Sequence, residues 1–243
     1  VIEICCGSAG LSAALRRLGF QVFAIDHSAN RHSPKVRTLV IDVSNSQQLE
    51  LLESLFMFSK PCYVHLGLPC GTCSRAREKP MPKSLGGHMG PQPLRDANNL
   101  MGLPHLQGSD LVKVTLANKL YRAAVLVLLW CYKLGCLVSL ENPSRSWLWQ
   151  LLALLVQETN NGPFIEWYSL LESVYFDVAA CVTNAQNFWQ PRGCLLLWPW
   201  IAPETISMRL GDLFEQKLEL YSLQPWKQST RRFCAPEWPN VCA

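Results

Sequence analysis

Two side chains that could work as a catalytic pair, a thiol and a carboxyl group, each follow an apolar stretch of the chain. Cys70 comes after Pro69, just beyond the apolar stretch 62–66, and Glu141 directly follows the apolar stretch 136–140. If both stretches are strands of one parallel sheet, both side chains lie at the edge where open α/β sheets bind ligands. A thiol and a carboxyl group facing one pocket suggest a cysteine nucleophile with an acid partner.

The elements that would position this pair alternate regularly between strands and helices. Apolar runs predict strands at 1–6, 21–25, 38–41, 62–66 and 136–140. Helical spacing predicts helices at 10–18, from an N-cap at Ser46, at 111–133 and at 144–158. This alternation predicts an α/β fold with a mostly parallel central sheet, flanked by helices and connected by right-handed crossovers.

Two parts of the chain carry a weaker pattern. The stretch 67–110 is rich in proline and glycine, which predicts a long irregular loop, and loops of that length are usually functional or disordered. Beyond residue 160 the pattern fades, with strands expected at 174–182 and 193–198 and a helix at 204–220.

Composition favours a folded intracellular protein. The chain has 243 residues, 49% of them hydrophobic, and a net charge of +4, which permits a polyanionic partner without requiring one. Its 11 cysteines are odd in number and irregularly spaced, which indicates a reducing compartment rather than a disulfide scaffold. We expect no signal peptide and no membrane span, because the first residues already form a strand and the apolar run 123–132 is too short.

A glycine turn and two aspartates predict an adenosine-type cofactor. Gly7 and Gly10 lie between the first strand and the first helix, where the backbone can turn sharply and approach a ligand. Asp26 ends the second strand, a position from which an acidic residue commonly binds ribose hydroxyls. Asp42 ends the third strand, where it could reach an adenine edge. Either aspartate alone is more often a turn or capping residue.

Cys70 has three interpretations. It could be a buried structural cysteine, although its neighbours Pro69 and Gly71 disfavour this. It could form a redox pair with Cys73, since Cys70-Gly71-Thr72-Cys73 is the one CxxC sequence in the chain. It could be a catalytic nucleophile, which fits the preceding strands and the glycine turn better. No second CxxC or HxxxH sequence completes a zinc site, so we expect no metal.

A short basic run follows Cys70. Arg75, Arg77 and Lys79 come within ten residues of the cysteine. Such runs usually form a solvated surface, but beside an active-site cysteine they could bind the phosphates of a nucleic acid.

In this order and spacing, the motifs resemble those of the DNA cytosine carbon-5 methyltransferases. The stretch 3–11, Glu-Ile-Cys-Cys-Gly-Ser-Ala-Gly-Leu, is similar to the first motif of that family. Leu68-Pro69-Cys70 is similar to its Pro-Cys motif, and Glu141-Asn142 to its Glu-Asn motif. The resemblance covers roughly residues 1–150 and implies a Rossmann-like class I methyltransferase fold. We assign 1–200 to the catalytic domain and 201–243 to a divergent segment without a complete target-recognition domain.

The resemblance also implies roles for individual residues. Cys70 would be the nucleophile and Glu141 its acid partner, with Pro69 shaping the turn and Asn142 bracing the loop. The residues implied to bind S-adenosylmethionine are Cys6, Gly7, Ser8, Ala9, Gly10, Leu11, Asp26, His27, Asp42 and Val43. Those implied to bind nucleic acid are Ser74, Arg75 and Arg77.

The implied reaction is addition of the Cys70 thiolate to carbon 6 of a flipped-out cytosine, followed by methylation at carbon 5. The sequence departs from the family at several positions. Cys5 stands where the first motif has an aromatic residue, Ala9 where it has a glycine, and the later Gln-x-Arg-x-Arg motif has only Gln190-Pro191-Arg192 as its nearest counterpart. An RNA substrate, or an inactive remnant that binds cofactor or nucleic acid, therefore stays open. In a eukaryote we expect the nucleus as the site of action.

Overall fold

A computed structural model of the chain describes residues 1–78, residues 91–171 and the backbone of a strand at 192–197. The strand expected at 174–182 and all expectations beyond residue 200, including the segment 201–243, lie outside the described residues. The same holds for Gln190 and Pro191 of the Gln-x-Arg-x-Arg counterpart.

The strands of the described residues form one six-stranded sheet. They are β1 Ile2–Ile4, β2 Phe23–Asp26, β3 Thr38–Val40, β4 Tyr63–Leu66, β5 Leu137–Pro143 and β6 Arg192–Leu197. The spatial order is β3-β2-β1-β4-β5-β6, with the first five strands parallel and β6 antiparallel to β5. This confirms the predicted α/β fold with a mostly parallel, Rossmann-like sheet.

Helices connect the parallel strands except β2 and β3, which a loop joins. The α-helices of the described residues are α1 Gly10–Arg17, α2 Ser46–Ser59, α3 Gly108–Leu134, α4 Leu148–Gln157 and α5 Gly162–Ser169. A 3₁₀ helix, Arg75–Glu78, lies in the stretch that the sequence predicted to be irregular. Helix α5 was not predicted, because it lies beyond residue 160, where the sequence pattern fades.

Several predicted boundaries were wrong, among them the end of β1 (at Ile4 rather than residue 6) and the start of α3 (at Gly108 rather than residue 111). Asn45 rather than Ser46 caps α2, because its side-chain oxygen accepts hydrogen bonds from the backbone N–H groups of Gln47 (3.0 Å) and Gln48 (3.3 Å). Strand β5 continues past residue 140 to Pro143, because β6 pairs with it along that length. A short turn follows the longer strand, and helix α4 begins at Leu148 rather than at residue 144.

The two faces of the sheet differ in polarity. Alternate strand residues join α2, α3 and α4 in one apolar cluster, whose strand members include Ile2, Ile4, Ile25, Val64, Leu66, Val138 and Leu140. The opposite face carries Glu3, His65 and Ser139 in register on β1, β4 and β5. The apolar face packs against the helices. On the polar face, Glu3 and His65 line the cavity described below.

Helix α3 is the central helix of the apolar cluster. By length and mean hydropathy (1.4) it could cross a membrane, although half of that segment is buried within the fold. Core helices of globular domains have the same properties. Its Trp130 ring packs 5.3 Å from the ring of Phe56 on α2, measured between centroids.

Candidate functional site

The residues with predicted chemistry meet at the carboxyl edge of the parallel strands. A cavity of about 940 Å³ opens there, lined by residues that end or follow β1, β2, β3, β4 and β5. The predicted site residues that line it are Cys6, Gly7, Asp26, His27, Asp42, Val43, Pro69, Cys70, Arg77, Glu141 and Asn142. One cavity thus contains the predicted nucleophile, its predicted acid partner and both strand-end aspartates.

The remaining predicted site residues lie away from the cavity lining. Ser8 is exposed and Ala9 is completely buried under the first turn. Gly10 and Leu11 begin α1, and Ser74 and Arg75 lie beyond the Cys70 loop. Contacts with a ligand are therefore expected from Cys6 and Gly7 rather than from the whole first motif.

The turn after β1 has an unusual backbone. Gly7 has a positive φ of 53°, which glycine adopts without strain. Cys5 and Ala9 also have positive φ, 57° and 51°, a conformation that costs non-glycine residues on the order of 1 kcal/mol each. Because of this positive φ, a larger residue at position 7 would be strained, and its Cβ would lie at ordinary contact distance, 3.5 Å, from the His32 ring.

Asp26 fixes this turn. Its Oδ2 accepts a hydrogen bond from the Gly7 backbone N–H at 2.7 Å, and its Oδ1 accepts one from the His27 N–H at 2.8 Å. A carboxylate offers about four acceptor positions. The two backbone bonds and a longer bond from the Cys6 thiol to Oδ2 (3.9 Å) leave Asp26 about one further acceptor position for a ligand hydroxyl in the cavity.

Asp42 and Glu3 have different surroundings. Asp42 Oδ1 accepts from the Ser44 N–H (2.9 Å) and hydroxyl (2.7 Å), which shapes the turn into α2. Glu3 is buried, and its Oε2 accepts from both the backbone N–H and the hydroxyl of Ser12, which ties β1 to α1. Burial raises the pKa of Glu3 above its usual range.

Three hydrogen bonds fix the loop that carries Cys70. The Asn142 side-chain amide donates to the Leu68 carbonyl (3.0 Å), and the Tyr121 hydroxyl donates to the Pro69 carbonyl (2.7 Å). The Cys70 carbonyl accepts from the Ser74 N–H at 2.8 Å. Because β5, α3 and the following turn all contribute, the half-buried Cys70 side chain has a defined position at the cavity wall.

A buried arginine supports the same loop. Arg95 is 1% exposed, and its guanidinium group donates to the carbonyl of Leu100 and to the hydroxyl of Thr72, the latter at 3.3 Å. The guanidinium carbon lies 5.6 Å from the centroid of the Tyr121 ring. Sequence reasoning missed Arg95 and Tyr121, since one lies in a stretch without periodicity and the other resembles an ordinary helix residue.

The other cysteines near the site are poor nucleophile candidates. Burial, reinforced by the negative charge of Asp26, raises the pKa of Cys5 to about 12 and that of Cys6 to about 11. Cys73 is fully buried, and burial raises its pKa as well. At neutral pH these three side chains remain thiols, and the thiolate is the reactive form of cysteine.

Glu141 lines the cavity beside a histidine that the sequence analysis did not single out. His65, on β4, also lines the cavity, and its Nδ1 lies 2.7 Å from the hydroxyl of Ser139 on β5. The signal that could have revealed it is the spacing of Tyr63 and His65, two polar-tipped side chains on one face of an apolar strand.

The two arginines of the basic run already have protein partners. Arg75 donates to Glu78 (2.8 Å), and its guanidinium carbon lies 4.7 Å from the Trp147 ring centroid. Arg77 donates to the carbonyls of Gly71 (2.9 Å) and Gln92 (2.7 Å), and it lines the cavity. These contacts show that both arginines stabilise the segment after Cys70. Phosphate binding by either arginine stays a prediction.

No protein-family model, curated protein or solved structure matches this chain. Within the described residues, no group of three or more His, Cys, Asp or Glu side chains is placed to hold a metal ion. The chemistry of the site therefore follows from the cavity and its side chains: an accessible thiol, a carboxyl group on the neighbouring strand, and a carboxylate placed for ligand hydroxyls.

Proposed function

We propose that this chain transfers a methyl group from S-adenosylmethionine to carbon 5 of cytosine in DNA, through a covalent adduct with Cys70. A Rossmann-like fold supports many activities, so the fold alone does not carry the proposal. The observation that carries it is the placement of Cys70 and Glu141, from the adjacent parallel strands β4 and β5, in one cavity with Asp26.

Two features of the cavity support this cofactor. Asp26 can accept a hydrogen bond from a ribose hydroxyl while it holds the Gly7 turn. Gly7 presents no side chain, which leaves its backbone accessible to a ligand. Cys5 offers less surface than an aromatic residue would to an adenine ring, so we expect modest cofactor affinity. When bound, the cofactor supplies an electrophilic methyl group.

The residues of the chain would perform the remaining chemistry. The Cys70 thiolate forms a bond from Sγ to carbon 6 of cytosine, while the Glu141 carboxyl group donates a hydrogen bond to ring nitrogen 3. Electron density released by this addition makes carbon 5 nucleophilic. Carbon 5 would form a bond to the methyl group as the methyl–sulfur bond of the cofactor breaks. Solvent water or hydroxide would then take the proton from carbon 5, the released electron pair would re-form the double bond between carbons 5 and 6, and the bond from Sγ to carbon 6 would break to return the thiolate.

The test traps the covalent adduct. The protein is incubated with S-adenosylmethionine and with duplex DNA, single-stranded DNA or RNA that contains 5-fluorocytosine. Fluorine at carbon 5 prevents the final elimination, so we expect an adduct with DNA that survives denaturation. Cys70→Ala should abolish it. Cys73→Ser is the matched control and should retain the adduct, because the buried Cys73 does not act as the nucleophile.

The outcomes of the trapping experiment separate the alternatives. An adduct with RNA alone would assign the RNA reaction instead of the DNA reaction. A folded protein that binds cofactor and traps neither substrate would contradict methyl transfer and favour a non-catalytic remnant. Loss of the adduct in Cys73→Ser would support a role for the Cys70-Gly71-Thr72-Cys73 pair in redox chemistry.

The basic run provides a separate prediction about nucleic-acid binding. If Arg75 and Arg77 neutralise phosphates, changing each to alanine should weaken binding and reduce the slope of log affinity against log salt by about one. Fluorescence anisotropy with a labelled oligonucleotide at several salt concentrations measures this slope. Arg122→Ala, in an exposed ion pair with Glu158, serves as the control. An unchanged slope would leave both arginines with loop packing as their only role.

A further inference from the structure

Arg95 is a buried cation that has no acidic partner among the described residues. It is 1% exposed, and none of the ion pairs in the described part of the chain includes it. Its guanidinium group donates instead to the Leu100 carbonyl and, at 3.3 Å, to the Thr72 hydroxyl. Burial of a charge without a counter-ion is unfavourable, so Arg95 depends on these few contacts. One of them lies two residues from Cys70.

The hydrogen bonds that begin at Arg95 continue to the residue before Cys70. The Thr72 and Tyr121 hydroxyl oxygens are 3.2 Å apart, and the Tyr121 hydroxyl donates to the Pro69 carbonyl at 2.7 Å. Three hydrogen bonds therefore connect the guanidinium group to the peptide unit that joins Pro69 to Cys70. We call this series of bonds, from Arg95 through Thr72 and Tyr121 to the Pro69 carbonyl, the Arg95 bridge.

The two ends of the Arg95 bridge fix the direction of every bond in it. A guanidinium group can only donate, and a carbonyl oxygen can only accept. The Tyr121 phenol has one proton, which goes to the Pro69 carbonyl, so its oxygen accepts from Thr72. The Thr72 hydroxyl in turn accepts from Arg95. The Cys73 sulfur, at 3.9 Å, is a longer and weaker alternative acceptor for the Thr72 proton. The bridge thus has one arrangement, in which successive bonds strengthen one another.

The Arg95 bridge holds the nucleophile's turn on both sides of Cys70. Pro69 precedes Cys70 and Thr72 follows it, and both are bonded to Tyr121 on α3. Within the turn, the Cys70 carbonyl accepts from the Ser74 N–H at 2.8 Å. Displacement of either side of this turn would therefore change the position of the Cys70 sulfur at the cavity wall.

We propose that Arg95 is a positioning residue for Cys70 and acts through Thr72 and Tyr121. The effect on catalysis rests on the proposed methyl transfer, in which the Cys70 sulfur bonds to carbon 6 of cytosine. Arg95 lies outside the cavity lining, so it acts without contact with cofactor or substrate. A misplacement of about 1 Å at a reacting atom can slow a reaction by about 10²-fold.

Substitution of Thr72 tests the centre of the bridge, because valine has the shape of threonine without its hydroxyl. In Thr72→Val we expect the single-turnover rate of 5-fluorocytosine adduct formation, at saturating cofactor and oligonucleotide, to fall by about 10–100-fold. Thr72→Ser keeps the hydroxyl and should stay within about threefold of the wild type. The affinity for S-adenosylmethionine, measured by calorimetry, should be unchanged in both variants, because Asp26 and the Gly7 turn lie on other strands.

A double variant tests whether these groups act together. Tyr121→Phe removes the bond to the Pro69 carbonyl and should slow adduct formation as Thr72→Val does. Because both changes break the same bridge, the double variant should be no slower than the slower single variant. Effects that multiply would show independent contributions and would overturn the bridge.

Two substitutions of Arg95 test its own contribution. Arg95→Lys keeps the charge and a hydrogen-bond donor, whereas Arg95→Met keeps only the apolar bulk. The lysine variant should therefore retain more of the adduct rate than the methionine variant, with both measured on folded protein. Equal rates in the two variants would overturn the role of the guanidinium group.

Hydrogen–deuterium exchange provides a measurement that needs no activity. In Thr72→Val and Tyr121→Phe, exchange in the peptide that contains the Ser74 N–H should become faster by about tenfold, while exchange in β1 and β2 stays unchanged. Thr72→Ser should exchange as the wild type does. Thr115→Val is the matched control, because Thr115 is exposed on α3, and it should change neither the adduct rate nor the exchange of the Cys70 turn.

The results distinguish failure of this inference from failure of the proposed function. If the adduct forms and Thr72→Val retains the wild-type rate, the positioning role is overturned, whatever the exchange of the turn. Faster exchange in all strands alike would indicate a general loss of stability and would also overturn it. If the wild type forms no adduct but exchange of the Cys70 turn responds to Thr72→Val and not to Thr72→Ser, methyl transfer is overturned and the Arg95 bridge stands.

Discussion

In Glu141→Ala, the rate of 5-fluorocytosine adduct formation falls by about 10²–10⁴-fold, which is the usual contribution of a positioned acid. On the proposed mechanism, alanine cannot donate to ring nitrogen 3, so negative charge on the ring would no longer be neutralised when Cys70 adds to carbon 6. The Cys70 loop should keep its position, because Asn142 and Tyr121 anchor it. Single-turnover kinetics with labelled oligonucleotide and saturating cofactor measure this rate directly.

Glu158→Ala is the matched control for the loss of a glutamate. Glu158 forms an exposed ion pair with Arg122 at 2.7 Å, and such pairs contribute little to stability. Its adduct rate should equal that of the wild type. A Glu141→Ala rate within threefold of the wild type would contradict the acid role and would require another group to protonate the ring.

If S-adenosylmethionine binds as proposed, Asp26→Ala should weaken its binding by about 10–100-fold, because a hydrogen bond from a ribose hydroxyl to a charged group is lost. The protein should also become less stable. The backbone N–H groups of Gly7 and His27 both lose their acceptor, at about 1–3 kcal/mol for each group left unsatisfied. Isothermal titration calorimetry measures the affinity, and urea denaturation measures the stability.

A second substitution separates the two effects of Asp26. Asp26→Asn keeps one carbonyl oxygen for a backbone N–H, so it should restore part of the stability but little of the cofactor affinity. Glu158→Ala, which breaks only the exposed ion pair with Arg122, should change neither property. Wild-type affinity in a folded Asp26→Ala protein would exclude Asp26 from the cofactor site.

The sequence was sufficient to predict the parts of the site that depend on strand order. Cys70 and Glu141 each follow an apolar run, and the parallel pairing of β4 with β5 brings them to one edge. The same reasoning places Asp26 and Asp42, which end or follow β2 and β3, at this edge. Parallel strands all end at the same edge of the sheet. A residue that ends an apolar run can therefore be placed at this edge from the sequence alone.

The parts that the sequence did not predict depend on contacts between distant segments. Arg95 acquires its role only when the proline-rich stretch folds against Thr72 and the Tyr121 ring. The hydrogen bond between His65 and Ser139 joins residues that are 74 positions apart. Likewise, both Asn45 and Ser46 are common helix-capping residues in sequence, and only the structure shows that the Asn45 side chain accepts from the free N–H groups of α2.

The pairing of β6 with β5 has a consequence for protein production. Residues Arg192–Leu197 cover the outer edge of β5 from Val138 to Pro143. A chain shortened before residue 192 would expose the unpaired backbone groups of an apolar strand, and such edges promote aggregation through intermolecular strand pairing. Shortened forms made for crystallisation or screening should therefore retain β6, so that low yield is not mistaken for an inability of the domain to fold.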